Sequence, residues 1–416
     1  MDVLKIATAG SVDDGKSTLI GRLLYDTQSL TDDKLEAIKR NSQLRGYDYL
    51  DFSLATDGLV AEREQGITID VAHIYFSTEK KSYIIADTPG HVEYTRNMVT
   101  GASTSQASII LIDARKGVIE QTYRHFFINN LLRVKNVIVA INKMDLVGYS
   151  ETTFHQIKND FEDLNKKSSY QQQEITFIPV SALKGDNVVK QSSKMSWYEG
   201  ETILEHLEKL DSISIEEEAQ ARFPVQTVIR PKSEAFHDFR GYAGKVYGNQ
   251  LSVNDEVTIL PSLKKSVIKN IHFFDQEIKV AEAGSSVVIT LQDDVNVSRG
   301  DMLVKSTELP NVKKELEAVV CWMDNKELSE GSKYILQHSN NNVLAKIETI
   351  ENAIATDFGG KENANGELKL NEIGQVKLRL NKPIYFDAYE KNKNNGAFIL
   401  IDAQTNATAG VGFLRA

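Results

Sequence analysis

Cysteine is almost missing from this chain: Cys321 stands alone among 416 residues. No internal disulfide can form, and a single thiol fits a reducing compartment, with a buried structural role as its simplest reading. Proline is sparse, at 7 residues beside 25 Gly, which excludes collagen-like and proline-rich disordered compositions. No 18 apolar residues follow one another, so a transmembrane helix is not expected. The opening MDVLKIATAGS lacks the charged region, long apolar stretch and cleavage site of a secretory signal. Positive charge is not in excess either: 48 Lys plus Arg against 58 Asp plus Glu leaves a net charge of −10. No global field therefore draws the chain to nucleic acid or an anionic membrane, and a soluble, cytoplasmic protein without either partner is expected.

What is present is an ordinary globular composition, 41% hydrophobic and 25% charged, long enough for two to four domains. The first half alternates β-branched runs with helical spacing, the mark of an α/β domain with a mainly parallel sheet covered by helices. Strands are expected at 4–9, 83–87, 108–113, 136–141 and 176–180, each ending in a polar cluster. From Phe223 onward, short alternating strands are separated by Gly, Asn and Asp turns, which reads as all-β. That stretch is generous for one small barrel, so two are expected, divided near Leu309-Pro310-Asn311. The expected domains are 1–215, a P-loop domain, then barrels over 222–309 and 311–416, with the acidic stretch 215–220 as a helix end or linker.

The sharpest signal is Gly10-Ser11-Val12-Asp13-Asp14-Gly15-Lys16-Ser17, placed between an apolar strand and a helical run beginning at Thr18. It matches the P-loop pattern in full and in the required strand, loop and helix context. Gly10 and Gly15 let backbone N–H groups close around phosphates, and the helix that follows presents its positive end to them. Lys16 is expected to reach the β and γ phosphates as a catalytic cation, and the Ser17 hydroxyl to bind Mg²⁺. Asn142-Lys143-Met144-Asp145 follows a strand directly. The Asp145 carboxylate can accept from two guanine donors that adenine does not offer on that edge, so the wrong base leaves a polar group unpaired. Ser181-Ala182-Leu183 supplies the second guanine contact, with the Ala182 N–H facing the base oxygen. Asp87-Thr88-Pro89-Gly90-His91 forms the γ-phosphate end: Asp87 on the metal, the Gly90 N–H on the phosphate, and His91 positioning or activating the attacking water. Thr68, within Gly66-Ile-Thr-Ile-Asp70, is the switch residue that closes over metal and nucleotide. The ligands implied are GTP or GDP with Mg²⁺, and the metal set is Ser17, Thr68 and Asp87. Val12 and Ile67 flank His91 either as an apolar gate or as ordinary packing, and the stretch 31–45 reads as a switch helix or a fixed surface helix.

Several runs, GSVDDGKSTLIGRLLYD, EREQGITIDVA, DTPGH, YTRNMVTGAS, DARKG and NKMDLVG, make the chain resemble the large, GTP-binding subunit of bacterial sulfate adenylyltransferase (ATP sulfurylase). The likeness continues through Trp197 to His206, Arg222 to Gln226 and Phe239 to Gly241, and is weaker over the last hundred residues. Ser196 stands where that family commonly has proline. The family is similar to elongation factors in architecture, although those usually carry other residues at Ser11 and Asp14. The resemblance implies a heterodimer in which GTP hydrolysis here drives adenylyl transfer from ATP to sulfate on a small partner subunit, giving adenosine 5′-phosphosulfate and pyrophosphate. Relatives with a fused adenylylsulfate kinase carry a second P-loop, which this sequence lacks, so that activity is not expected. Two rival readings are a translation-type GTPase binding tRNA or ribosomes, and a stand-alone regulatory GTPase.

Overall fold

A computed structural model describes residues 3–44, 46, 50–52, 71–89, 95–211, 219–231, 239–362 and 365–415. Contacts divide the chain into two units, Met1–Ser212 with Ala355–Gly360, and Ile213–Ile354 with Lys361–Ala416.

The first unit is built on a sheet of β1 (Val3–Ala9), β2 (Ala72–Ser77), β3 (Ser82–Asp87), β4 (Ala107–Asp113), β5 (Asn136–Asn142) and β6 (Glu174–Pro179). Their order is β2-β3-β1-β4-β5-β6, with β2 antiparallel to β3 and every other pairing parallel. The α/β fold read from the sequence is therefore present. The central strands are continuous apolar runs because both faces are covered: all seven residues of β4 are buried. The edge strand β2 was not among the expected ones. Of its residues only Phe76 is fully buried, so it carries little of the apolar signal that marks its neighbours.

Helix α1 (Lys16–Asp26) packs Leu19, Ile20, Leu23 and Leu24 onto the sheet in one core with Ile6, Ile85, Leu111 and Ile138. Helix α2 (Asp32–Leu44) lies where a helix was expected, with Asp32 and Asp33 in its first turn, a favourable placement for acids at a helix start. Chain order reverses about β1, whose neighbours β3 and β4 lead to opposite halves of the sheet. Open α/β sheets bind ligands beyond the carboxyl ends of the strands at such a point.

The second unit holds two antiparallel rings of six strands. In the first, Glu256–Leu260, Met302–Lys305, Arg222–Ile229, Gly241–Lys245, Ser286–Leu291 and Lys264–Phe273 pair in turn, and the last closes on the first. In the second, Lys333–His338, Ala397–Ile401, Thr408–Leu414, Asn311–Trp322, Ile373–Phe386 and Asn341–Ile354 do the same. Closure leaves no strand edge within either ring. Inward residues alternate along Asn341–Ile354, where Val343, Ala345 and Ile347 point to a core shared with Trp322, Leu336 and Phe386. Cys321 is fully buried on that wall, and burial pushes its thiol up to about 12, so it is an inert packing residue. No helix among the described residues is long and apolar enough to cross a membrane.

Candidate functional site

Four of the segments singled out in the sequence follow β1, β3, β5 and β6, all at the carboxyl end of the sheet. The loop after β1 enters α1 at Gly15, which has φ 96° and provides no side-chain cap. The first N–H groups of that helix are thus left without a side-chain partner, the arrangement that suits an anion. A Cβ on Gly15 would stand 2.5 Å from Asn142 Nδ2, so glycine is required by close approach as well as by conformation.

Asn142 is the knot of the site. Its Nδ2 donates to the Asp14 carbonyl at 2.8 Å, and its Oδ1 accepts from the Ala182 N–H at 2.9 Å. One side chain thereby joins the P-loop, the Asn142 to Asp145 loop and the Ser181 to Leu183 loop. The Ala182 N–H, expected to face a base, is bonded here to Asn142. Ser181 Oγ donates to Asp145 Oδ1 at 2.7 Å, fixing the half-buried carboxylate that was read as the guanine acceptor. Met144 N–H bonds the Val180 carbonyl at 3.2 Å, and Arg22 of α1 donates to the Leu183 carbonyl at 3.1 Å, so both loops are held from below.

Lys16 is 8% exposed and donates to the Gly10 carbonyl at 2.9 Å, its single hydrogen-bond acceptor among the described residues. Burial pushes its ammonium down from its ordinary value, opposed by the charges of Asp87, Asp14 and Asp13. Beside it, Ser11 Oγ is buried without a hydrogen-bond partner among the described residues. Asp87, at the end of β3, is 2% exposed, and its Oδ1 accepts from Thr8 Oγ1 at 3.0 Å. Thr88 Oγ1 returns a bond to the Thr8 carbonyl, and Pro89 is buried behind it. Ser17 and Thr18 begin α1, and Val12 is half-buried in the loop. Thr68, Gly90 and His91, with Ile67, lie outside the described residues.

Sequence reading gave no role to the segment after β4, yet it reaches the same place. The fully buried Asp113 carboxylate accepts from Arg115 Nε at 3.0 Å and Nη2 at 2.6 Å, and from Lys143 Nζ at 2.9 Å. Burial alone would raise this acid, but the bonds from Arg115 and Lys143 outweigh it and hold it well below the usual carboxylate range. Lys143 Nζ also donates to the Asp13 carbonyl. The available signal was position: a polar residue closing the apolar run 109–112 at the carboxyl edge of a parallel sheet.

Comparison with known proteins agrees with this geometry. The model of the elongation factor Tu GTP binding domain matches residues 1–235, and that of the GTP-eEF1A C-terminal domain-like family matches residues 315–415. The second match extends the likeness into the last hundred residues, where the wording alone was thin. Sulfate adenylyltransferase subunit 1 of Francisella tularensis subsp. novicida is 47% identical over 99% of this chain and 87% of its own length. The protein of the same name from Aliivibrio fischeri is 46% identical over 99% and 86%. The bifunctional enzyme CysN/CysC of Mycobacterium tuberculosis is 45% identical over 99% of this chain and 67% of its own length. At such identity over nearly its whole length, the chain belongs to the sulfate adenylyltransferase subunit 1 family, within the elongation-factor-Tu-type GTP-binding proteins.

Proposed function

We propose that this chain is the GTP-hydrolysing subunit of a sulfate adenylyltransferase, in which loss of the γ phosphate drives adenylyl transfer from ATP to sulfate on a smaller partner subunit. The observation that carries the reading is the family identity of 45–47% over 99% of the chain, joined to a P-loop site whose base-side loops are locked together by Asn142. In this reading the domains are the GTPase domain over 1–215 and barrels over 222–309 and 311–416, the barrels giving further partner surface.

The residues suit a magnesium nucleotide: among the described residues, a buried hydroxyl at Ser11 with no partner, a buried ammonium at Lys16 with one protein acceptor, and an uncapped helix start lie together. Gly10, Val12, Asp13, Asp14, Gly15 and Thr18 form the cradle, and Lys16 neutralises charge on the terminal phosphates. Ser17, Thr68 and Asp87 would hold Mg²⁺, which supplies charge neutralisation between the β and γ phosphates. Asp145 reads the two guanine donors with Ser181 steadying it, while Asn142, Lys143 and Met144 hold that loop. The Ala182 N–H, shared with Asn142, and Leu183 close the base pocket. Thr88, Pro89 and Gly90 carry Asp87 and the γ-phosphate contact, and His91 positions the attacking water. His91→Ala is expected to keep nucleotide affinity while single-turnover GTP hydrolysis falls by about 10²–10⁴. An unchanged rate removes that role.

A partner that fits the GTP-ordered state better than the GDP state converts hydrolysis into a changed conformation, limited by that difference in binding free energy. The test is to co-express the chain with a small adenylyl-transferring subunit, supply ATP and sulfate, and follow adenosine 5′-phosphosulfate and phosphate release with and without GTP. Mutual stimulation is expected. Adenylyl product indifferent to GTP, or binding of tRNA in place of the subunit, contradicts the reading.

A further inference from the structure

The segment Asp113-Ala-Arg-Lys-Gly117 folds as a tight turn after β4, with the N–H groups of Lys116 and Gly117 donating to the Asp113 carbonyl at 2.9 and 3.0 Å. From this one turn the chain reaches the P-loop twice. Lys116 Nζ lies 3.5 Å from Asp14 Oδ1, and Asp113 holds Lys143, whose ammonium bonds the Asp13 carbonyl. The first contact answers an electrostatic difficulty. Asp14 is 2% exposed within the loop that surrounds the phosphates, where a carboxylate repels the anion it should help to bind. Its other oxygen accepts the Ser11 N–H at 2.8 Å, which shapes the loop but brings no full positive charge. Burial pushes this acid up, while the Ser11 N–H, Lys116 and Lys16 pull it back towards the ionised form.

We propose that Lys116 is a positioning residue for guanine-nucleotide binding, compensating the buried Asp14 carboxylate so that the phosphate loop can accept a polyphosphate, from a turn that Asp113 anchors to Lys143. The proposal rests on the nucleotide site inferred above. Lys116 acts through Asp14 and not by touching phosphate, so its loss is repaired by removing the charge it answers. Asparagine at position 14 keeps an oxygen for the Ser11 N–H.

The test uses the full chain and direct titration with GDP and GTP in four forms: unaltered, Lys116→Ala, Asp14→Asn, and the two combined. Because the Lys116 side chain is 41% exposed, the single variant is expected to weaken both nucleotides about fivefold and no more. Made on the Asp14→Asn background, Lys116→Ala should change affinity less than about twofold relative to Asp14→Asn alone. Thermal unfolding of the nucleotide-free forms should differ little among the four. A Lys116→Ala protein that binds as tightly as the parent overturns the proposal, as does a Lys116→Ala loss of the same size on the Asp14→Asn background. An unaltered chain that binds neither nucleotide overturns the functional reading itself.

Discussion

Among the described residues each unit buries one lysine or arginine deeply, and the two are satisfied differently. In the second unit Arg222 is fully buried and uses every donor it has. Nε and Nη2 clasp Asp387 at 2.8 and 2.9 Å, Nη1 bonds the carbonyls of Ala221 and Glu308, and Nη2 also bonds Gln220 Oε1. Asp387 in turn accepts from Asn395 Nδ2 at 2.7 Å. In the first unit Lys16 is nearly as buried but has one protein acceptor, among the described residues, for its three donors. A buried charge is costly unless paired and bonded, so the first arrangement is complete and belongs to the fold. The second is complete only with an added anion. The contrast separates a structural charge from a binding one without reference to any motif.

Breaking the completed arrangement should have the largest effect. Arg222→Met leaves Asp387 buried and unpaired, and denaturant unfolding of the second unit should show a loss of about 3–5 kcal/mol, with GDP affinity unaltered. A loss below about 1 kcal/mol would mean that the pair is not the completed charge described. Lys16→Met should do the reverse. It removes an under-bonded buried ammonium, so the nucleotide-free chain keeps its stability or gains, while GDP and GTP affinity fall roughly a hundredfold. Equal losses in folding and binding would erase the contrast.

The smallest effect sharpens the same comparison through pH. His338 is buried beside the Arg222 network and donates from Nε2 to the Asn395 carbonyl at 2.9 Å. Burial pushes its pKa down from 6.5, opposed by the Asn395 bond and the Asp387 charge. Below 6.5 the unfolded chain takes a proton that the folded chain refuses, so this contribution to stability is present near neutrality and lost as pH falls. The slope cannot exceed about 1.4 kcal/mol per pH unit. His338→Gln should flatten the stability profile between pH 7 and pH 5, and an unchanged slope would show that His338 does not contribute.

The difference between the units also explains what could be read in advance. The phosphate and guanine loops were legible because their chemistry needs particular residue types in contiguous runs: Gly15 beside Lys16, Asn142 three residues before Asp145. The parallel strands were legible because β4 and β5 are built on the unbroken apolar runs 109–112 and 137–141. The two barrels were expected as well, but the pairing that closes each ring was not legible, since it depends on placing strands such as Lys333–His338 between Asn341–Ile354 and Ala397–Ile401. Alternation within a strand says nothing about its neighbours. The Arg222 to Asp387 pair spans 165 positions, and an arginine opening a strand looks like any surface arginine until its partner is placed. The bond between Asp113 and Lys143 was hidden similarly, although each residue stood next to a segment already noticed. The edge strand β2 was missed because only one of its side chains is fully buried.

The central claim is that the loops joined by Asn142 form a guanine-nucleotide site, and calorimetric titration of the full chain with magnesium and GDP, GTP or ATP tests it most directly. The account predicts saturable one-to-one binding of both guanine nucleotides and none of ATP at the same concentrations. Preference for ATP, or indifference to all three, would contradict it.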